Sequence, residues 1–344
     1  MSNGNRRRSR RRYKLRYDRV IAVALVLIVL IVIITSCSKG CSKDDDDKNT
    51  ETQSSVVDEL TSGSDENADA TAAEGDTAAD AVAATAAETE YTIQSVEYAQ
   101  INMGDLILVN SLHPYTFAEG DTNLVTVYEN RSTCYSVKDN EVMLDSNVIT
   151  QLNTFMEAYY AATSNTDLRI ITGYRSLEVQ NDKYNSGLTD IAGGYSEYHT
   201  GRAIDVGIFP EGSDSNYYSP DYSETINYGW FNENASSYGF ILRYPEGKES
   251  STGESSSTYT YRYVGIPHAV YMAQNNLCLE EYIDQIKSYN STNTLKITNG
   301  TSQYEVYYVA ANVNDVTDVP VPSTMPYTIS GNNVDGFIVT VTVA

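Results

Sequence analysis

Residues 43–90 carry almost no large apolar side chains. They open with Asp44-Asp45-Asp46-Asp47-Lys48 and continue as Ala, Thr, Asp, Glu and Ser. Such a segment cannot bury enough surface to offset its chain entropy, so it is expected to be a disordered stalk. It divides the 344-residue chain in two. A folded body has to lie beyond it, from Tyr91 onward, and the segment before it is left for targeting.

That first segment is strongly patterned. Residues 1–19 hold nine Lys/Arg and one acid, Asp18, and residues 20–34 are then apolar without a break. This run is shorter than the roughly 20 residues of a full span, although Tyr17, Thr35, Ser36 and Cys37 extend it a little. Two readings fit. The first is an uncleaved signal anchor over 20–36, its basic tail kept in the cytoplasm. The second is a lipoprotein signal, because Ile34-Thr35-Ser36-Cys37 resembles a bacterial lipobox in which Cys37 is lipidated. Both put the body outside, so the expected location is the bacterial cell membrane, single-pass, with an extracellular body.

Charge narrows the partners. The chain has 23 basic and 46 acidic residues, and beyond Arg19 that leaves 14 basic against 45 acidic, a net of −31. A body this acidic does not bind nucleic acid or anionic lipid through bulk charge. Cys134 and Cys278 could pair outside the cell, but two cysteines alone define no disulfide framework.

Apolar periodicity predicts the elements of the body. Residues 106–109 read as a short buried strand. Residues 147–162 place Val148, Ile149, Leu152, Phe155, Met156, Tyr159 and Tyr160 at helical spacing. Residues 168–172 are the next strand, and Gly173-Tyr174-Arg175-Ser176 turns into a helix bearing Gln180 and Tyr184. Residues 203–209 alternate as a buried strand. A helix is expected over 224–238, strands over 239–244 and 261–265, and a polar loop over 247–257. Helices follow over 268–275 and 279–289, with Pro267 suited to the start of the first. The tail then changes to β-branched and aromatic runs at 294–298, 304–310, 327–330 and 337–343, separated by turn signals such as Asp335-Gly336.

One stretch carries chemistry: Ser196-Glu197-Tyr198-His199-Thr200-Gly201-Arg202-Ala203-Ile204-Asp205. It holds one of only three histidines in the chain, and imidazole and carboxylate are the usual non-thiolate zinc ligands. Taken alone, a histidine beside a strand is more often a hydrogen-bonded structural residue than a ligand.

Three further motifs accompany it in order. These are Thr172-Gly173-Tyr174-Arg175-Ser176 with Gln180, Gly239-Phe240-Ile241-Leu242-Arg243-Tyr244-Pro245 with Gly247-Lys248, and Arg262-Tyr263-Val264-Gly265. Together the four resemble the zinc-dependent D-alanyl-D-alanine carboxypeptidases of the vancomycin-resistance type, over roughly residues 101–290. The resemblance implies an α+β domain with a central antiparallel sheet flanked by helices. It also implies a zinc ion in the cleft and removal of terminal D-alanine from peptidoglycan stem peptides. In such enzymes zinc and a carboxylate activate water while an arginine steadies the developing charge. The expected organisation is a basic tail (1–19), an anchor (20–36), a linker (37–90), a carboxypeptidase-like domain (91–290) and a β-rich extension (291–344).

The resemblance breaks at the metal. Aligning Ser196, Gly201, Ala203 and Asp205 puts the first zinc histidine of the family at Tyr198, while Asp205 matches the second ligand. Before Arg262, the general-base glutamate falls on Ser257 and the last zinc histidine on Thr260. Tyrosine and threonine hydroxyls stay protonated near neutral pH, and a catalytic zinc keeps three protein ligands, so no cofactor is predicted. His199 is one place late, and adjacent side chains of an extended segment face opposite ways. A shifted metal site of His199, Asp205 and His268 is the alternative. What the resemblance retains is a substrate groove of Arg175, Gln180, Ser196 and Asp205; Arg175 as an ion-pair partner and Ser196 as a turn residue remain open. The expected function is a membrane-tethered pseudopeptidase that binds peptidoglycan stem peptide or a cell-envelope protein. The alternatives are an active D,D-carboxypeptidase with a rearranged metal site, and a structural protein acting through its acidic surface and β tail.

Overall fold

The computed structural model describes residues 89–117, 123–209 and 226–343, all within one unit, Val82–Ala344. The basic tail, the apolar run 20–34, Cys37 and the linker up to residue 88 lie outside the described residues. Among the described residues, no helix is long and apolar enough to cross a membrane.

In chain order the body contains β1 (Tyr91–Val96), β2 (Leu124–Thr126), α1 (Val127–Asn130), β3 (Ser136–Val137), β4 (Met143–Asp145), α2 (Ser146–Thr163) and β5 (Leu168–Thr172). Next come α3 (Leu177–Asn185), β6 (Ala203–Ile208), α4 (Ile226–Asn234), β7 (Phe240–Leu242), α5 (Glu249–Thr252), β8 (Thr260–Tyr263), α6 (Ile266–Gln274) and α7 (Leu279–Ile286). The tail adds β9 (Leu295–Asn299), β10 (Ser302–Ala310), β11 (Thr317–Pro322), β12 (Tyr327–Gly331) and β13 (Gly336–Thr342).

The central sheet runs β3-β5-β6-β8-β7. It is antiparallel except for the short β3, which joins β5 in parallel. Strand β6 is buried along its whole length, which explains its near-continuous apolar run. Helix α2 closes one face of the sheet. Its Val148, Ile149, Leu152, Phe155, Met156 and Tyr159 are buried, the set that the 3.6-residue period marks. Asp145 caps it by accepting from the Asn147 amide, and it ends at Ser164 in the left-handed region. Phe155 is the hub of this core, its ring 4.3 Å from Phe231, 5.0 Å from Tyr238 and 5.8 Å from Phe240.

Residues 106–109 are buried but form no strand. Buried backbone groups still need partners, and arginine side chains supply them. Arg262 Nη2 donates to the Asp105 and Ile107 carbonyls at 2.9 and 3.1 Å, and Arg243 Nη2 reaches the Val109 carbonyl at 3.4 Å. Both arginines are fully buried and share Glu197, which is 1% exposed, and Arg243 also pairs with Glu280. A buried ion cluster thus takes part of a strand neighbour's place, and Asn332 and Asn333 take another part, meeting the Leu108 amide and carbonyl at 3.0 and 2.8 Å.

Four tail strands form one antiparallel sheet, β12-β13-β10-β9. One face, with Val306 and Ile338, packs against Met272, Leu279 and Tyr282. The other, with Tyr307, Phe337 and Val341, packs against Val96, Val319 and Val321. Strand β11 is not among the strands the sequence predicts, because Pro320 and Pro322 weaken its pattern. It pairs only with β1, and a two-stranded ribbon tolerates proline as an edge does. Cys134 and Cys278 are free thiols.

Candidate functional site

The motif stretch folds as a cap, a turn and a strand. Ser196 precedes a 3-10 turn, Glu197–Thr200, and Gly201 closes it at φ 66°. A Cβ at Gly201 would also lie 2.8 Å from the Leu124 side chain, so glycine is required there. The segment expected to be extended is therefore a tight turn, in which successive side chains point about 120° apart. Glu197, Tyr198 and His199, all buried, leave it in three directions. Glu197 enters the arginine cluster. Tyr198 reaches Asp205. His199 has its Nδ1 2.6 Å from the Arg175 carbonyl, and its Nε2 accepts from the Gly194 amide at 3.0 Å.

The sheet supplies the rest. Asp205 lies opposite Thr260 in the β6–β8 register, and a register shift between Ile170 and Thr172 bends β5 beside it, as bulges near functional sites do. Tyr198 Oη donates to Asp205 Oδ1 at 2.6 Å, and Thr260 Oγ1 donates to the same oxygen at 2.9 Å. Ser257 Oγ lies 2.9 Å from Thr260 Oγ1. The chain Ser257–Thr260–Asp205–Tyr198 is thus continuous. Burial raises the Asp205 carboxyl above its usual range, opposed by these two hydrogen bonds and by Arg175 and Lys183. Burial and the Asp205 charge push the Tyr198 phenol well above its own.

A cationic wall faces this network. The Arg175 guanidinium carbon sits 3.8 Å from the Tyr198 ring centroid. Its Nη1 donates to Gln180 Oε1 at 3.2 Å, and Gln180 Nε2 donates to the Ile191 carbonyl at 2.8 Å. Arg175 Nε and Ser196 Oγ are buried without a hydrogen-bond partner. Burial, Arg175 and Lys138 hold the Lys183 ammonium below its usual range. Sequence reasoning missed Lys183, although it lies three residues after Gln180 on α3 and so on the same helical side. It also missed Tyr115 and Phe117, whose rings stand 5.9 and 4.9 Å from His199; no motif marks them.

The network does not suit the zinc of the resembling enzymes. It offers one carboxylate and three hydroxyls that stay protonated, and a zinc site needs thiolate, imidazole or carboxylate donors. The alternative set is not assembled either. His268 binds Tyr282 Oη at 2.6 Å and Thr340 Oγ1 at 3.0 Å, which occupies both ring nitrogens. Those partners lie on α7 and β13. Among the described residues, no group of three His, Cys, Asp or Glu is placed to hold a metal ion.

A helix-flanked, largely antiparallel sheet carrying one buried, hydrogen-bonded carboxylate bordered by arginine defines an α+β peptidase-like domain. The family model described as VanY, D-alanyl-D-alanine carboxypeptidase, matches residues 141–266. A D-alanyl-D-alanine carboxypeptidase from Enterococcus faecium is 31% identical over 260 residues, 72% of this chain and 78% of that protein. The bifunctional D-Ala-D-Ala dipeptidase and carboxypeptidase VanXYC of Enterococcus gallinarum is 29% identical over 54% of this chain and 96% of its own length. Among solved structures, the vancomycin-resistance D,D-dipeptidase VanXYg, in complex with a D-Ala-D-Ala phosphinate analogue, superposes with a TM-score of 0.64 at 31% identity, covering 74% of this chain and all of that one. The chain belongs to the D-alanyl-D-alanine carboxypeptidase family.

Proposed function

We propose that this chain is a non-hydrolytic member of its family that holds the D-alanyl-D-alanine end of a peptidoglycan stem peptide. The observation that carries the reading is the hydrogen-bonded set at the family's metal positions. Tyr198 and Thr260 are both committed to one oxygen of Asp205, Ser257 stands where the general-base glutamate is expected, and both ring nitrogens of His199 are engaged by backbone groups. Without a metal, water in the cleft has no means of reaching a pKa near 7. Binding groups remain. Arg175 Nε and Ser196 Oγ are buried and unpartnered, and such atoms are costly unless a ligand or water completes them. A peptide carboxylate or carbonyl supplies acceptors for both. The basic tail and the apolar run 20–34 support a membrane-held, extracellular placement, with the acidic linker as tether.

Two measurements on the purified protein test this. Zinc content and D-alanine release from a D-Ala-D-Ala-ended peptide should both be absent. Binding of the same peptide, followed by calorimetry, should weaken about tenfold or more in Arg175→Ala, as expected for a lost charge-assisted hydrogen bond. Stoichiometric zinc with D-alanine release would establish the active D,D-carboxypeptidase instead. Unchanged peptide binding in Arg175→Ala would remove the groove from the reading.

A further inference from the structure

A second concavity, of about 280 Å³, opens between the start of α6 and the tail sheet, and it shares no residue with the Tyr198–Asp205 network. Tyr263, His268, Tyr304, Thr328, Thr340 and Thr342 line it. Register explains how the tail residues meet: Tyr304 lies opposite Thr342, and Thr328 opposite Thr340. They therefore stand on one face of the sheet. Further along the same face, Val306 and Ile338 pack into the core below α6 and α7. A face that served only as packing would continue apolar. This one changes to hydroxyls where the groove opens.

Those hydroxyls are largely uncommitted. Among the described residues, the hydroxyls of Tyr263, Tyr304, Thr328 and Thr342 have no protein partner. The groove also has no free charge. His268 is neutral, its imidazole pushed down to about 4 by burial, and Asp105 at the rim is paired with Arg202 at 2.7 Å. An anionic ligand would find no cation here. A wholly apolar ligand would dry the hydroxyls without bonding them. Hydroxyls that both donate and accept, set beside the half-buried Tyr304 ring, match a neutral polyol with one apolar face. The volume lies at the lower edge of the roughly 300–1,000 Å³ of small-ligand sites.

We propose that this groove binds a neutral sugar ring of a glycan chain. Tyr263 shares strand β8 with Thr260 of the cleft network, so a glycan here and a peptide there would meet opposite ends of one strand. The inference rests on the groove alone and stands whether or not the cleft binds peptide.

Titration calorimetry of the full chain tests it with two probes, an N-acetylglucosamine tetramer and a glucose tetramer (cellotetraose). Binding of at least one is expected. Thr328→Val combined with Thr342→Val should weaken it about tenfold, the effect of two lost hydrogen bonds. Both positions are exposed and valine keeps the strand preference, so folding is preserved. Binding of the N-acetylated probe alone supports an acetamido-sugar ligand, and equal binding of both supports recognition of the ring itself. No binding of either probe, or binding that the double variant leaves unchanged, overturns the proposal. D-Ala-D-Ala peptide binding measured on the same variant should not move, which keeps failure here distinct from failure of the cleft reading.

Discussion

Tyr198 and Asp205 are joined by a 2.6 Å hydrogen bond, phenol to carboxylate oxygen, across a turn and a strand seven residues apart. The bond joins two of the positions at which the family resemblance leads one to expect metal ligands. Tyr198→Phe keeps the ring under Arg175 and removes only the donor. A hydrogen bond to a charged partner contributes roughly 1.5–3 kcal/mol. The variant should lose about that much near neutral pH, seen as a lower urea midpoint at unchanged slope. At acid pH, with Asp205 protonated, the loss should shrink toward the roughly 1 kcal/mol of a neutral bond. An unchanged midpoint at pH 7 would mean that the phenol does not stabilise the carboxylate.

Asp205 itself gives a pH prediction. Burial raises its folded pKa above the ordinary 3.8, so the folded chain holds this proton more tightly than the unfolded chain does. Stability from this group is complete below about pH 3.8 and is lost as pH rises through the raised folded value. In Asp205→Asn the new amide cannot ionise, and its carbonyl can accept from both Tyr198 and Thr260. The melting temperature of that variant, relative to the parent, should therefore climb as pH rises from about 4, and level off once Asp205 is ionised in the folded chain as well. A difference that does not vary with pH would show that Asp205 ionises without penalty.

Glu197 is the anion between two fully buried arginines, its two oxygens divided between Arg243 and Arg262. Glu197→Gln preserves its shape and removes the charge. Breaking a buried pair on one side costs roughly 3–5 kcal/mol, because the remaining cations stay in a dry interior. The loss should appear in denaturant unfolding and should be largely insensitive to salt, since buried pairs are screened little. It should also loosen the backbone of 106–109, whose carbonyls both arginines hold, and amide exchange there should accelerate.

How much of this was legible in the sequence depended on what kind of pattern each part carries. Helix α2 and strand β5 were plain, because periodic burial is local information, and the order of the four motifs disclosed the domain. The expected metal positions come from the family resemblance alone; Thr260 meets Asp205 through the β6–β8 register, and Tyr198 meets it from the turn before β6. Three features were hidden for physical reasons. The run Leu106–Val109 has a strand composition, but its partners are side chains, those of Arg243 and Arg262 among them, and one backbone carbonyl, that of Asn332, all more than 130 positions away. Strand β11 is masked by its prolines. The hydroxyl groove lies between strands β10, β12 and β13 and helix α6, so no contiguous stretch of sequence could announce it.

The same convergence predicts that the metal site can be rebuilt. Three side chains meet within hydrogen-bond reach at Asp205, so the backbone places positions 198, 205 and 260 around one point. Tyr198→His with Thr260→His supplies two imidazoles beside the carboxylate, the three protein ligands that a catalytic zinc keeps. The double variant should retain about one zinc per chain through gel filtration, whereas the parent and either single variant should retain none. At zinc levels about a hundredfold above the dissociation constant, binding should add roughly 2.7 kcal/mol to its stability. Adding Ser257→Glu then restores a carboxylate base next to the ion, and D-alanine release should appear only in this triple variant. Zinc retention without release would place the remaining loss in the groove rather than at the metal positions. Zinc retained by the parent would overturn the argument from its donor set.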